Sequence, residues 1–160
     1  MNTNSWKDID KINFKKKLKE YCLNYIQENI DEAKKSMERA QEAANDEEKN
    51  SMGEKYEISK VMGQIDSDRA GFQLLEAKKQ ISLMKLVSVE SLYDEAQQGA
   101  FIRCDEFNYF IATSIGGKVI DGEKIHIISP NAPVALQLRH KKAGDFIEIN
   151  KKKITIREIF

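Results

Sequence analysis

The chain has 160 residues, with 26 basic side chains against 26 acidic ones, which allows one ordinary core or a small core plus an extended helical element. A zero net charge excludes a global field that would draw the protein to nucleic acid or to a membrane, so any electrostatic function has to be local. Charged residues at 32% and only two prolines fit a long exposed helical pair better than a disordered tail or an all-β sandwich.

Met1 to Ser5 lack the apolar core of a signal peptide, and no apolar run reaches membrane-spanning length. A cytoplasmic protein without a membrane partner is the expectation. Up to Asn13 the chain is polar and mixed, with Trp6, Ile9 and Ile12 available to pack as a short lead-in.

From Phe14 the spacing predicts a helix to about Asn45, roughly 48 Å at 1.5 Å per residue. That is longer than a small domain is wide, so its far end should project. Lys15, Lys16, Lys17 and Lys19 at its base read as a solvated face. Leu23, Ile26, Ile30, Ala33, Met37, Ala40 and Ala44 step by threes and fours, the spacing of a coiled-coil seam. A second pattern, Ile58, Met62, Ile65, Arg69, Phe72, Glu76, Lys79, Leu83 and Leu86, does the same beyond residue 54. An antiparallel register pairs Ala44 with Ile58, Ala40 with Met62, Met37 with Ile65 and Ile30 with Phe72, with Leu75, Leu83 and Leu86 anchoring the lower part. Its midpoint is Ser51.

Ser51 and Glu54 form a capping box, which starts the second helix near Met52, with Gly53 in its first turn. Asp46, Glu47 and Glu48 lie where the first helix should end. Carboxylates near the negative end of a helix dipole are unfavourable by roughly 0.3–1 kcal/mol each when exposed. A purely structural hairpin would more naturally carry Lys or Arg there; by themselves the acids read either as a solvated charge run at the tip or as a candidate functional group.

Around Val87 the period changes to two, and a second domain is expected: residues 1–86 form the hairpin, with its tip at about 45–54, and 87–160 a small β domain. Ala100 to Cys104, Tyr109 to Thr113, Lys118 to Ile120, Lys124 to Ile128, Asp145 to Ile149 and Lys153 to Ile159 read as strands. They are separated by the turn signals Asp105-Glu106, Gly116-Gly117, Asp121-Gly122 and Asn150-Lys151. Short, hairpin-linked strands predict a mostly antiparallel sheet. One short helix interrupts them, initiated at Ser129-Pro130-Asn131 and continued from Ala132 to Leu138, with Pro133 in the first turn. The fold class is therefore α+β.

Cys22 and Cys104 are single and far apart, and read as free buried thiols. There is no phosphate-cradling glycine loop, no zinc spacing around His126 or His140 and no serine in a nucleophile elbow. The sequence offers no self-contained enzyme.

The C-terminal run Ile127-Ile128-Ser129-Pro130-Asn131-Ala132-Pro133-Val134-Ala135-Leu136, then Lys142-Ala143-Gly144-Asp145 and a last hairpin ending Ile156-Arg157-Glu158-Ile159, resembles the closing segment of the Gre-type bacterial transcript cleavage factors. Tyr56 and Glu76-Ala77-Lys78 also resemble family positions at the same separation, and the likeness covers about residues 14–160. The resemblance implies a β domain like that of the FKBP prolyl isomerases and a monomeric partner of bacterial RNA polymerase. Ser129 and Pro130 would contact the polymerase rim, while the tip enters the secondary channel. There the acids Asp46, Glu47 and Glu48 would assist the Mg²⁺ of the polymerase active site in hydrolysing a backtracked transcript, touching the nascent RNA 3′ end only indirectly. The factor would have no cofactor of its own: Mg²⁺ keeps several waters and needs only one or two added carboxylates.

The tip departs from the family pattern, an Asp and three residues later a Glu followed by Asn-Ala-Glu-Tyr. Aligned on Tyr56 without gaps, Lys49 stands at that Asp and Met52 at that Glu, with the present acids displaced toward the first helix. The alternatives are a channel-occupying inhibitor that promotes no cleavage, and an FKBP-like prolyl isomerase or chaperone. Against the isomerase, the β domain reads as too small to wrap an aromatic-lined pocket. Against a client-clamping chaperone, only Met52 is apolar at the tip.

Overall fold

Lys7 offers its backbone N–H to the Asp10 carboxylate at 2.9 Å, and Asp8 and Asp10 occupy the first turn of a helix, where the dipole favours acids. Helix α1 (Asp8–Lys49) therefore starts six residues before the expected Phe14. In the computed structural model, which describes residues 5–49 and 53–160 and only the backbone of Glu47, Glu48, Lys49 and Glu54, α1 is followed by α2 (Gly53–Lys85). Strands β1 (Phe101–Cys104), β2 (Asn108–Ile111), β3 (Gly116–Ile120) and β4 (Glu123–Ile128) come next. Helix α3 (Pro133–Leu138) and strands β5 (Phe146–Ile149) and β6 (Lys152–Ile159) complete the chain. This is the expected α+β order of a long helical pair, six strands and one short helix.

Two compact units divide the chain: residues 1–22 with 84–160, and residues 23–83. The boundary drawn from sequence at 86/87 assigned the start of α1 to the hairpin, whereas, among the described residues, 5–22 group with the sheet.

In the sheet unit the strand order is β3-β4-β2-β1-β6-β5. Every pairing is antiparallel except β2 with β4, which run parallel. Two turns have the chemistry their residues demand. Asp121 and Gly122, and Asn150 and Lys151, all have positive φ, the geometry of the tight hairpin turns that match strand twist.

Alternation along the strands gives the sheet two buried faces. On one, Ile102, Cys104, Tyr109, Ile111, Ile147, Ile154 and Ile156 form a core with Ala96, Ala100 and Leu138 of α3. On the other, Phe14 of α1 sits edge-on to Phe101 at 5.2 Å between ring centres, and Trp6 sits edge-on to Phe14 at 5.1 Å. Phe160 lies 5.0 Å from Phe101 and closes this aromatic cluster. Burial on both faces explains why all four residues of β2 are buried. Of the expected lead-in, Trp6 packs and Ile9 is exposed.

Of the lysines at the base of α1, Lys16 and Lys17 are exposed as expected, whereas Lys15 and Lys19 fasten the helix to the chain beyond α2. Lys15 is fully buried, donates to the Ser91 carbonyl at 2.7 Å and lies 4.5 Å from the centre of the Tyr93 ring. Lys19 donates to the carbonyls of Lys85 and Val87, Lys17 pairs with Asp121 at 2.6 Å, and Lys11 pairs with Glu158 at 2.9 Å. Gly99 is obligatory where the chain passes Ser88. It has φ +89°, and a Cβ there would stand 2.3 Å from the Ser88 carbonyl oxygen.

In the helical unit the α1 seam is as expected: Ile26, Ile30 and Ala33 are buried, and Leu23, Met37, Ala40 and Ala44 half-buried. The α2 seam is not. Phe72 is 66% exposed and Leu75 68%, and Ile58, Met62, Ile65 and Leu83 are exposed as well. Ala70, Ala77 and Met84 are buried instead, and Tyr56, Ser59, Gly63, Ser67, Gly71, Leu74, Gln80 and Ile81 half-buried, a face one to two residues, or about 140°, around the helix. Two grooves confirm the antiparallel sense and correct the register. Ser36, Arg39, Ala40 and Ala43 share one with Asp66, Arg69, Ala70 and Gln73. Asn29, Glu32, Ala33 and Ser36 share the other with Phe72, Gln73, Glu76 and Ala77. Ala40 thus lies by Ala70 rather than Met62, and Phe72 borders a groove instead of capping Ile30. Leu86, an expected anchor, is exposed too.

Candidate functional site

The tip of the helical unit is built by α1 running past Asn45. Gln41 donates to Asn45 one turn on, at 3.3 Å, and the helix continues to Lys49. Asp46, Glu47 and Glu48 are therefore in its last helical turn, beyond the end expected near Asn45. Asp46 is exposed, and the side chains of Glu47 and Glu48 lie outside the described residues. So does the expected capping box, through Ser51 and the side chain of Glu54. Helix α2 opens at Gly53 with φ +61°, a left-handed conformation that a side chain would strain.

The second predicted group, Ser129 and Pro130, is half-buried between β4 and α3 in the sheet unit. The Ser129 hydroxyl accepts the Asn131 N–H at 3.2 Å, and its carbonyl accepts the Ala132 N–H at 3.0 Å. Ser129 shapes the turn before α3 and does not cap it. The helix begins at Pro133 after Ala132, with no side-chain cap, which Pro tolerates because its missing N–H would be unpaired anyway. The acidic turn and the Ser129-Pro130 turn thus belong to different units.

What sequence reasoning missed is a cleft of about 420 Å³ in the sheet unit. Phe107, Tyr109, His126, Ile128, Val134, Ile149 and Ile154 line it, and Glu106, Asn150 and Lys152 stand at its polar positions. The His126 ring stacks on Tyr109 at 5.6 Å and meets the edge of Phe107 at 4.9 Å. Glu106 and Lys152 form an ion pair. Burial raises the Tyr109 phenol above its ordinary pKa, with smaller contributions from Cys104 and Glu106. The sequence judgement that this domain is too small for an aromatic-lined pocket is wrong: two aromatic residues and a histidine from β2, its lead-in and β4 meet three aliphatic side chains from α3, β5 and β6. The only sequence signal was the two-residue spacing of Phe107 with Tyr109 and of His126 with Ile128, which puts each pair on one face of its strand.

The cysteines behave as expected. Both are free and buried, and burial pushes each thiol up to about 12, so neither is a nucleophile near neutral pH. His140 pairs with Glu95 at 3.1 Å on the surface. Among the described residues no group of three or more His, Cys, Asp and Glu side chains is placed to hold a metal ion, and no helix is long and apolar enough to cross a membrane. No protein-family model matches the chain, and no curated protein matches it significantly.

Proposed function

We propose that the protein is a cytoplasmic regulator of transcription elongation that binds bacterial RNA polymerase and offers the acidic end of α1 to the secondary channel. The observation that carries this reading is the position of Asp46-Glu47-Glu48 in the C-terminal turn of a long helix. Acids there oppose the helix dipole by roughly 0.3–1 kcal/mol each, which favours a role other than stability. Presented to a polymerase active site, such carboxylates would add ligands for Mg²⁺ and orient water, so the polymerase remains the enzyme. The exposed Asp46 and the family-like Ser129-Pro130 turn both support the reading. Lys49, next to the acids, favours control of elongation over strong cleavage, because an ammonium group opposes a bound cation.

The test is a stalled, backtracked elongation complex with the cognate polymerase. Transcript shortening that is lost on Asp46→Ala, Glu47→Ala and Glu48→Ala together establishes cleavage. Intact transcripts with acid-dependent slowing establish the inhibitor. Binding without either effect refutes the role of the tip. Substituting Pro130 without unfolding the chain should weaken polymerase binding, and unchanged affinity would reject that turn as the docking surface.

A second reading rests on the cleft between Phe107, His126 and Val134. Its apolar, aromatic lining suits an apolar or prolyl side chain of a peptide, which keeps a prolyl isomerase in view. A prolyl-peptide turnover assay, with Tyr109→Ala as the control for the cleft, separates it from the first reading.

A further inference from the structure

The exposed face of α2, which borders the grooves beside α1 at Arg69, Phe72 and Glu76, has an order of its own. Met62, Ile65, Arg69, Phe72, Glu76, Lys79 and Leu83 step by threes and fours, the seam of a helix pair. All seven are exposed. The series is close to a palindrome about Phe72: Arg69 and Glu76 lie three and four residues from it, Ile65 and Lys79 seven each, and Met62 and Leu83 ten and eleven.

We propose that this face is the surface on which two copies of the chain associate, antiparallel, about a two-fold axis at Phe72. A two-fold interface must be self-complementary, each residue meeting its symmetry mate's counterpart, and this sequence is. Phe72 meets Phe72 of the copy. Arg69 meets Glu76 on both sides of the axis, so the two charges that interrupt the apolar stripe become paired. Met62 meets Leu83, and Ile65 meets Lys79, whose methylene stem lies along the isoleucine while its ammonium reaches water. A parallel copy would instead stack Arg69 on Arg69 and Glu76 on Glu76, which like-charge repulsion disfavours.

The size is also sufficient. With Ile58, Val61 and Leu75 beside the stripe, seven large apolar side chains from 58 to 83 are exposed. At about 100 Å² each they offer on the order of 700 Å² per chain, near the ~800 Å² per partner of a standard interface. Single exposed apolar residues need no explanation, but seven on one stretch of a helix mark a candidate interaction surface. Arg69, Glu76 and Lys79 cross it in the one order that a reversed copy would satisfy.

Sedimentation equilibrium of the full chain, from low to several hundred micromolar, should show the 18.4 kDa species giving way to twice that mass. Arg69→Glu sets two glutamates against Glu76 pairs and should raise the dissociation constant about tenfold or more. Adding Glu76→Arg restores opposite charges in every pair and should return it to within about threefold of the original. Phe72→Asp, which brings two carboxylates together on the axis, should leave only monomer. All these positions are exposed, so far-UV circular dichroism should be unchanged; if Phe72→Asp disturbs it, the charge-reversal pair decides alone. A monomer throughout the range, or a double reversal as weak as the single one, overturns the proposal.

Discussion

Lys15 should be a liability at pH 7 to 8 and become an asset only as the pH approaches 10.5. Its ammonium is taken fully out of water into a site that supplies one carbonyl at 2.7 Å and the face of Tyr93. Burial lowers its pKa from the ordinary 10.5 to about 8. A cation whose folded pKa is depressed binds fewer protons folded than unfolded between those values, so stability rises with pH from about 8 to 10.5. A shift of this size corresponds to about 3 kcal/mol at 1.36 kcal/mol per unit. Replacing Lys15 with Met keeps most of the volume, removes the charge and forfeits the hydrogen bond to Ser91, which is worth about 1–2 kcal/mol. At pH 7 the variant should therefore be more stable than the parent by about 1–2 kcal/mol. At pH 10.5 the order should reverse by a similar amount, because the parent's neutral amine then keeps its hydrogen bond without the burial penalty. Urea unfolding of both proteins at half-unit steps from pH 7 to 10.5 measures the difference, and titration of the other lysines and the tyrosines largely cancels between them. A difference that stays constant across the range would show that Lys15 is not charged and buried as described, and would refute the argument.

The rotation of α2 is testable by a pair of substitutions. Leu75→Ala should cost under about 1.5 kcal/mol, since the side chain is largely in water already, whereas Ala70→Leu should cost about 1–3 kcal/mol by overpacking the true seam; denaturant unfolding that gives the opposite order would restore the face first expected from sequence. Neither Cys22 nor Cys104 should react with iodoacetamide at pH 8 in the folded protein, and both should react once it is unfolded; mass spectrometry showing rapid alkylation of the native chain would contradict their burial and their raised pKa.

Much of the fold was legible because local rules act locally. The strand positions, the tight turns at Asp121-Gly122 and Asn150-Lys151, the buried thiols and the α1 seam all follow from alternation, from backbone conformation and from helical period, which neighbouring residues fix among themselves. Three features were decided only in the folded chain. The seam of α2 lies on Gly63, Ala70 and Ala77, although the larger apolar residues repeat just as regularly one to two residues around the helix; a count of hydrophobicity selects the larger face, whereas helix approach is set by the side chains at the contact. The base of α1 belongs to the sheet because Phe14 and Leu18 meet a second apolar face of the sheet, and lysines between them looked like solvent markers until carbonyl groups from residues 85–91 were brought to them. The cleft gathers side chains from residue 106 to residue 154, and no spacing along the chain encodes it. The acids of the tip stood out in the sequence because they defy the helix dipole, while their place inside the helix followed from α1 continuing to Lys49. Sequence period fixes which residues can share a face; which of two competing faces is buried depends on what the rest of the chain brings against it.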